Sequence, residues 1–147
     1  MLLVIFSCLA LVALTTVIHY EILRMLNDRL PRLGIPSRTK LLVVIFSAFI
    51  AHGLEIALYG GTIYVLVQFL DAGSLSGPGG LSLINCLYFS GETYTSLGFG
   101  DVIPGGSIRL LAGTEALNGL LLIGWTASFT YISMERFWTT RTLDRGA

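Results

Sequence analysis

Apolar positions along this chain gather into three long runs, separated by polar segments of two different kinds. The first run, Met1 to Ile18, carries no charged residue and reaches the short end of the roughly 17–25 residues that a membrane-crossing helix needs. No positively charged stretch precedes it and the charges follow it, so residues 1–18 read as a retained anchor rather than a cleaved leader. The second run, Leu41 to Leu70, would make one helix of roughly 45 Å, long enough to cross at a tilt. Within it Gly60-Gly61 offers a bend or a close approach for a neighbour. The third run extends from Ser107 to Phe137.

The connecting segments differ from one another. Residues 19–40 are basic. Residues 71–106 contain no Lys or Arg and are rich in Gly and Ser. Through 71–82 the composition is that of a flexible loop. Residues 83–95 have apolar and aromatic side chains, no proline and only Gly91, which predicts a helix of about three to four turns. That helix is too short to span and too apolar for an exposed loop. A half-helix entering the membrane and returning would bury it, and non-helical backbone at such depth is tolerated only when packed in protein or lining water.

Composition agrees with this pattern. Hydrophobic residues make up 54% and charged residues 12%, against about 25% charged in a soluble domain, and the mean hydropathy is +0.78. The chain reads as an all-α membrane protein with three transmembrane helices and one re-entrant segment. Its formal net charge of zero gives no nucleic-acid footprint. Cys8 and Cys86 are too few for a disulfide framework and lack metal-ligand spacing. Basic residues set the expected orientation. Arg24, Arg29, Arg32, Arg38 and Lys40 lie in the first connection, and Arg136, Arg141 and Arg145 lie at the end of the chain. Both regions, including the tail 139–147, are expected in the cytoplasm and the N-terminus outside.

The re-entrant segment carries a specific signature. Thr93-Tyr94-Thr95-Ser96-Leu97-Gly98-Phe99-Gly100-Asp101 resembles the selectivity-filter motif T-x-x-T-V-G-Y-G-D of the pore-loop potassium channel family, with Ser96, Leu97 and Phe99 as conservative departures. Tyr88-Phe89 is similar to the aromatic pair of that family's pore helix, and Glu92 stands where many members carry a glutamate. Gly119 lies about where the family places its hinge glycine, and His52-Gly53-Leu54-Glu55 looks like a pattern in small bacterial members. The resemblance covers 41–138, and 1–40 lie outside it as an extra N-terminal helix and loop.

It implies a homotetramer in the lipid bilayer that passes K⁺ without a cofactor. In each subunit an outer helix (41–70), turret (71–82), pore helix (83–95), filter (96–101) and inner helix (107–137) would follow in order. The permeant K⁺ would be held at Ser96, Leu97, Gly98, Phe99 and Gly100, with Glu92 and Asp101 paired behind the filter as its support. Gly119, Leu120, Ile123, Ala127 and Tyr131 would line the cavity and inner gate. The glycines also have an independent reason. Stacked carbonyl rings replace the hydration shell of the ion, and aiming successive carbonyls at one axis needs positive φ at alternate residues, which Gly98 and Gly100 adopt cheaply. Phe99 lacks the hydroxyl that a tyrosine would use to brace the filter.

Charges within apolar runs cost about 2.5–3.5 kcal/mol each at mid-membrane unless paired or wet. His52 and Glu55, three apart, share a helix face with Tyr59. They read as a polar clasp between helices, with a pH sensor as the alternative. Glu115 in the third run is placed for an inter-helix contact with His52. His19 and His52 stand a helix apart and make a poor metal or haem pair. No enzyme motif, nucleotide loop or regularly spaced arginine helix appears. A conducting channel is therefore expected; the alternatives are a non-conducting subunit or scaffold that keeps the loop, and a redox or proton-handling enzyme using His52 and Glu55.

Overall fold

Helix boundaries in this chain follow its prolines more closely than its charges. The computed structural model describes residues 1–143, with side chains as far as Phe137. Helix α1 spans Leu2–Arg29 and ends in a 3-10 turn, Leu30–Arg32, that contains Pro31. The predicted anchor, 1–18, is therefore 11 residues too short, and most of the expected basic loop is helix. Nothing between Ile18 and Pro31 breaks a helix. Glu21, Arg24, Met25 and Leu26 are good helix formers, and the charged pair Glu21 and Arg24 is exposed and joined at 3.3 Å.

Helix α2, Ser37–Gln68, starts immediately after Pro36. The short helix α3 spans Leu83–Tyr94, and α4 spans Ile108–Leu143. Three helical stretches, Leu2–Arg32, Ser37–Gln68 and Ile108–Phe137, are long and apolar enough to cross a membrane. The protein is a multi-pass all-α membrane protein. The tail from residue 144 onward, with Arg145, lies outside the described residues, as does the side chain of Arg141.

The segment expected as a flexible turret is partly ordered by pairing. Strand β1, Gly73–Ser76, runs antiparallel to β2, Ile103–Gly106, with Gly73 opposite Gly106 and Ser76 opposite Ile103. Neither strand has an alternating β-type pattern, so the sequence conceals it. The ladder clips together the two ends of the re-entrant segment.

On α1 the buried residues Val4, Cys8, Leu11, Thr15, His19, Leu23 and Leu26 form one stripe, which packs against α2 and α4. The interior has three levels. At one end Val4, Cys8 and Leu11 join Ile63, Leu66, Cys86, Phe89 and Ile108 in an apolar core. At the other end Leu23, Leu26 and Leu30 pack with Val44 and Phe137. Between them lies a buried polar layer that includes Thr15, His19, Glu55, Ser90, Glu115 and Asn118. Outward-facing side chains such as Phe46, Phe49, Ile50, Leu117 and Leu121 are exposed and apolar, as a bilayer requires. Both cysteines are free and buried.

Candidate functional site

Helix α3 is fixed at both ends before the loop begins. Ser82 caps its start by accepting from Asn85 N at 3.1 Å, and the Asn85 side chain donates to Gly80 O at 2.7 Å. Mid-helix, Ser90 Oγ donates to the Ile56 carbonyl of α2 at 2.8 Å. Gly60 lets the two helices approach, since a Cβ there would lie 3.0 Å from Leu87 Cα. At its C-terminus Tyr94 is buried, with its backbone carbonyl against Gly119 of α4.

The backbone of the candidate filter then folds back on the end of α3. Ser96 N donates to Thr93 O at 2.9 Å, Leu97 N to Glu92 O at 2.9 Å and Gly98 N to Glu92 O at 3.2 Å. Phe99 N donates to the Glu92 carboxylate, Oε2, at 3.0 Å. Four consecutive N–H groups thus converge on one carbonyl, its neighbour and one carboxylate, an arrangement that successive peptides reach when left- and right-handed residues alternate. Ser96, Gly98 and Gly100 have φ of 57°, 56° and 78°, while Leu97 and Phe99 do not take positive φ. No peptide bond among the described residues is cis. In a trans peptide the C=O opposes the N–H of the next residue, so the carbonyls of residues 95–98 are turned away from α3. Residues 95–101 are exposed in the single subunit. The positive φ of Ser96, a non-glycine, costs of order 1 kcal/mol and is held by these hydrogen bonds.

Glu92 and Asp101 do not form the expected pair. Glu92 is buried and engaged with Phe99 N, whereas Asp101 is exposed and accepts from the Tyr88 hydroxyl at 3.1 and 3.3 Å. Tyr88 also lies parallel to the Phe99 ring, with centroids 6.5 Å apart and planes inclined by 5°. One aromatic side chain of α3 therefore touches both limbs of the outer loop, on the side where Phe99 has no hydroxyl to offer.

Along α4 the expected cavity stripe is mostly uncovered by the chain itself. Leu120 and Tyr131 are 53% and 62% exposed, Ala127 is exposed and Ile123 half-buried. Gly119 is buried and α4 passes through it without a break, so its missing side chain serves close packing against Tyr94.

The intramembrane polar residues assemble differently from expectation. His52 does not meet Glu115. Glu115 accepts from Ser90 Oγ on α3, and its Oε2 has no hydrogen-bond partner among the described residues. The partner that sequence reasoning missed is His19, whose Nδ1 lies 2.9 Å from Glu55 Oε1. His52 Nδ1 lies 3.1 Å from Glu55 Oε2 and 2.9 Å from the Tyr94 hydroxyl, which itself donates to Glu55 Oε2. Both His52 Nε2 and His19 Nε2 are 3.0 Å from the Thr126 hydroxyl of α4. The signal available in the sequence was the spacing of His19 on the stripe Leu11, Thr15, His19, a polar residue at a buried position. Asn118 extends the layer, donating to Thr15 Oγ1 at 2.8 Å and to Tyr59 OH at 3.2 Å.

Ligand-type atoms of His19, His52 and Glu55 lie within 4.8 Å of one another. Every ring nitrogen, however, already faces a protein oxygen at hydrogen-bond distance. The cluster is joined as a hydrogen-bond network across the helices. Among protein families, the one described as "Ion channel" matches residues 40–136. No curated protein and no solved structure matches the chain.

Proposed function

Because the chain belongs to the pore-loop ion channel family, we propose that it is a K⁺-selective channel in which four copies surround an axis lined by the backbone carbonyls of the Ser96–Gly100 loop. The observation that carries this reading is the handedness of that loop. Positive φ at Ser96, Gly98 and Gly100, with the N–H groups of residues 96–99 drawn onto the end of α3, leaves the carbonyl edge facing open space. A single strand offers an ion only one side of a coordination shell, and closed cyclic symmetry supplies the others. Glu92 acts as the brace, Tyr88 and Asp101 support the outer turn, and Leu120, Ile123, Ala127 and Tyr131 line the cavity below.

Cytoplasmic placement of the α1–α2 connection and of the end of α4 is part of the same proposal. It is supported by the basic residues gathered there and by the contact of Arg136 Nη1 with Asn27 Oδ1 at 3.2 Å, which puts both at one end of the bundle. The test is flux from liposomes reconstituted with purified protein. Uptake driven by a K⁺ gradient and absent with Na⁺ supports the proposal. Absence of flux in either cation from folded protein favours a non-conducting subunit instead.

A further inference from the structure

The network around Glu55 joins all four helices, and its hydrogens do not add up when its members take their ordinary neutral or anionic forms. Glu55 as a carboxylate only accepts. His19 Nδ1 must then carry a hydrogen for Glu55, which leaves His19 Nε2 an acceptor, and only the Thr126 hydroxyl faces it. With its one hydrogen used there, Thr126 accepts from His52 Nε2, which must therefore carry a hydrogen. A neutral His52 then has a bare Nδ1 opposite Glu55 Oε2 at 3.1 Å, two acceptors with nothing between them. Moving that hydrogen to Nδ1 mends this contact and creates the same defect at Thr126. One additional proton removes the conflict at every contact, whichever histidine holds it.

We infer that His19, His52 and Glu55, bridged by Thr126, form a binding site for one excess proton at the junction of α1, α2, α3 and α4. The Thr126 hydroxyl, accepting from one Nε2 and donating to the other, lets the proton pass between the two rings by shifting two hydrogens. With Glu55 ionised the loaded site is neutral overall, which suits a membrane interior. Trp125 lies 5.5 Å from the His19 ring, within the range over which an indole face attracts a cation. The nearest other titratable groups are Tyr94 on α3, Tyr59 on α2 and Glu115 on α4, both of the latter acting on Tyr94. Glu55 itself is faced by hydrogen bonds from His19, His52 and Tyr94 and by the charge of His19.

Losing the proton forces one of two rearrangements. Either the Tyr94 hydroxyl turns from Glu55 to the bare Nδ1 of His52, already 2.9 Å away, or Thr126 releases one histidine. Tyr94 is the last residue of α3 and lies two residues before Ser96, and Thr126 lies on α4 beyond Gly119. Proton occupancy thus acts on the helix that holds the filter and on the helix that lines the cavity. This consequence for conduction rests on the channel reading; the proton site does not.

The chain has only two histidines, so ring-¹⁵N-labelled protein in nanodiscs reports the site without assignment ambiguity. The expected result is a single titration step in which both rings change together. Thr126→Val should split that step in two, and Thr126→Ser should keep it. Flux of the wild type should change over the pH range of that step and become flat in His52→Gln. Two independent titrations in the wild type, two rings neutral throughout, or metal-bound ring nitrogens would each overturn the proposal. A joint step in protein that passes no K⁺ would leave the proton site standing and remove the channel reading.

Discussion

The backbone oxygen of Tyr94 occupies the space that a Cβ on Gly119 would take. The end of the short helix, through both the backbone and the ring of Tyr94, thus packs directly on the backbone of α4. Gly119→Ala must displace one of them. An overpacked core contact costs about 1–3 kcal/mol, and here the displacement is passed to Thr95 and Ser96. The variant should melt at lower temperature and conduct less. Gly113→Ala, at a position with no neighbour within 4 Å, is the control and should be neutral in both assays.

Glu92 and Asp101 brace the loop through different partners, Phe99 N and the Tyr88 hydroxyl. Glu92→Ala should shorten open lifetimes and lower stability by about 1–3 kcal/mol, since it leaves an N–H unpaired. Asp101→Asn should have its own smaller effect. A double-mutant cycle between the two positions should give a coupling below about 0.5 kcal/mol. A larger coupling would show that the carboxylates act as a pair.

The three spans were legible because long apolar runs with few charges have one physical use, and the handedness of the 96–100 loop because Gly98 and Gly100 take positive φ cheaply. The polar layer was not. His19 follows an uncharged run and precedes Glu21 and Arg24, so it reads as the start of a loop until Pro31 is recognised as the first residue that stops the helix. Its distance of 36 residues from Glu55 leaves no local periodicity to connect them. The Glu92–Asp101 pairing failed for a related reason. The motif places both carboxylates near the loop, but the backbone N–H of Phe99 reaches Glu92 first.

Glu115 is fully buried, with Ser90 on one oxygen and no hydrogen-bond partner on the other among the described residues. Glu115→Gln keeps the acceptor for Ser90 and the shape of the side chain. It should fold, assemble and melt like the wild type. Glu115→Ala removes the acceptor and leaves a void, and should lose about 2–5 kcal/mol. Equal melting temperatures for the two variants would exclude a packing role for Glu115.

Tyr131 is largely exposed on the face of α4 that the chain does not cover. If that face lines the cytoplasmic half of the pore, Tyr131→Ala removes an aromatic ring from a constriction that closes by dewetting. Basal K⁺ leak should rise severalfold while the preference for K⁺ is retained. Unchanged flux in Tyr131→Ala, together with ready access of internal blockers to the resting cavity, would place the gate in the filter.

In the proposed channel the carbonyls beside Gly98 and Gly100 select K⁺. The reversal potential in planar bilayers, with K⁺ on one side and Na⁺ on the other, measures this directly. A filter of this kind displaces the wild-type reversal potential far toward the K⁺ limit. Gly98→Ala and Gly100→Ala should lose that displacement, because a Cβ resists positive φ by about 1–2 kcal/mol per residue. A wild-type reversal potential near zero, or one left unchanged in both variants, would contradict the claim.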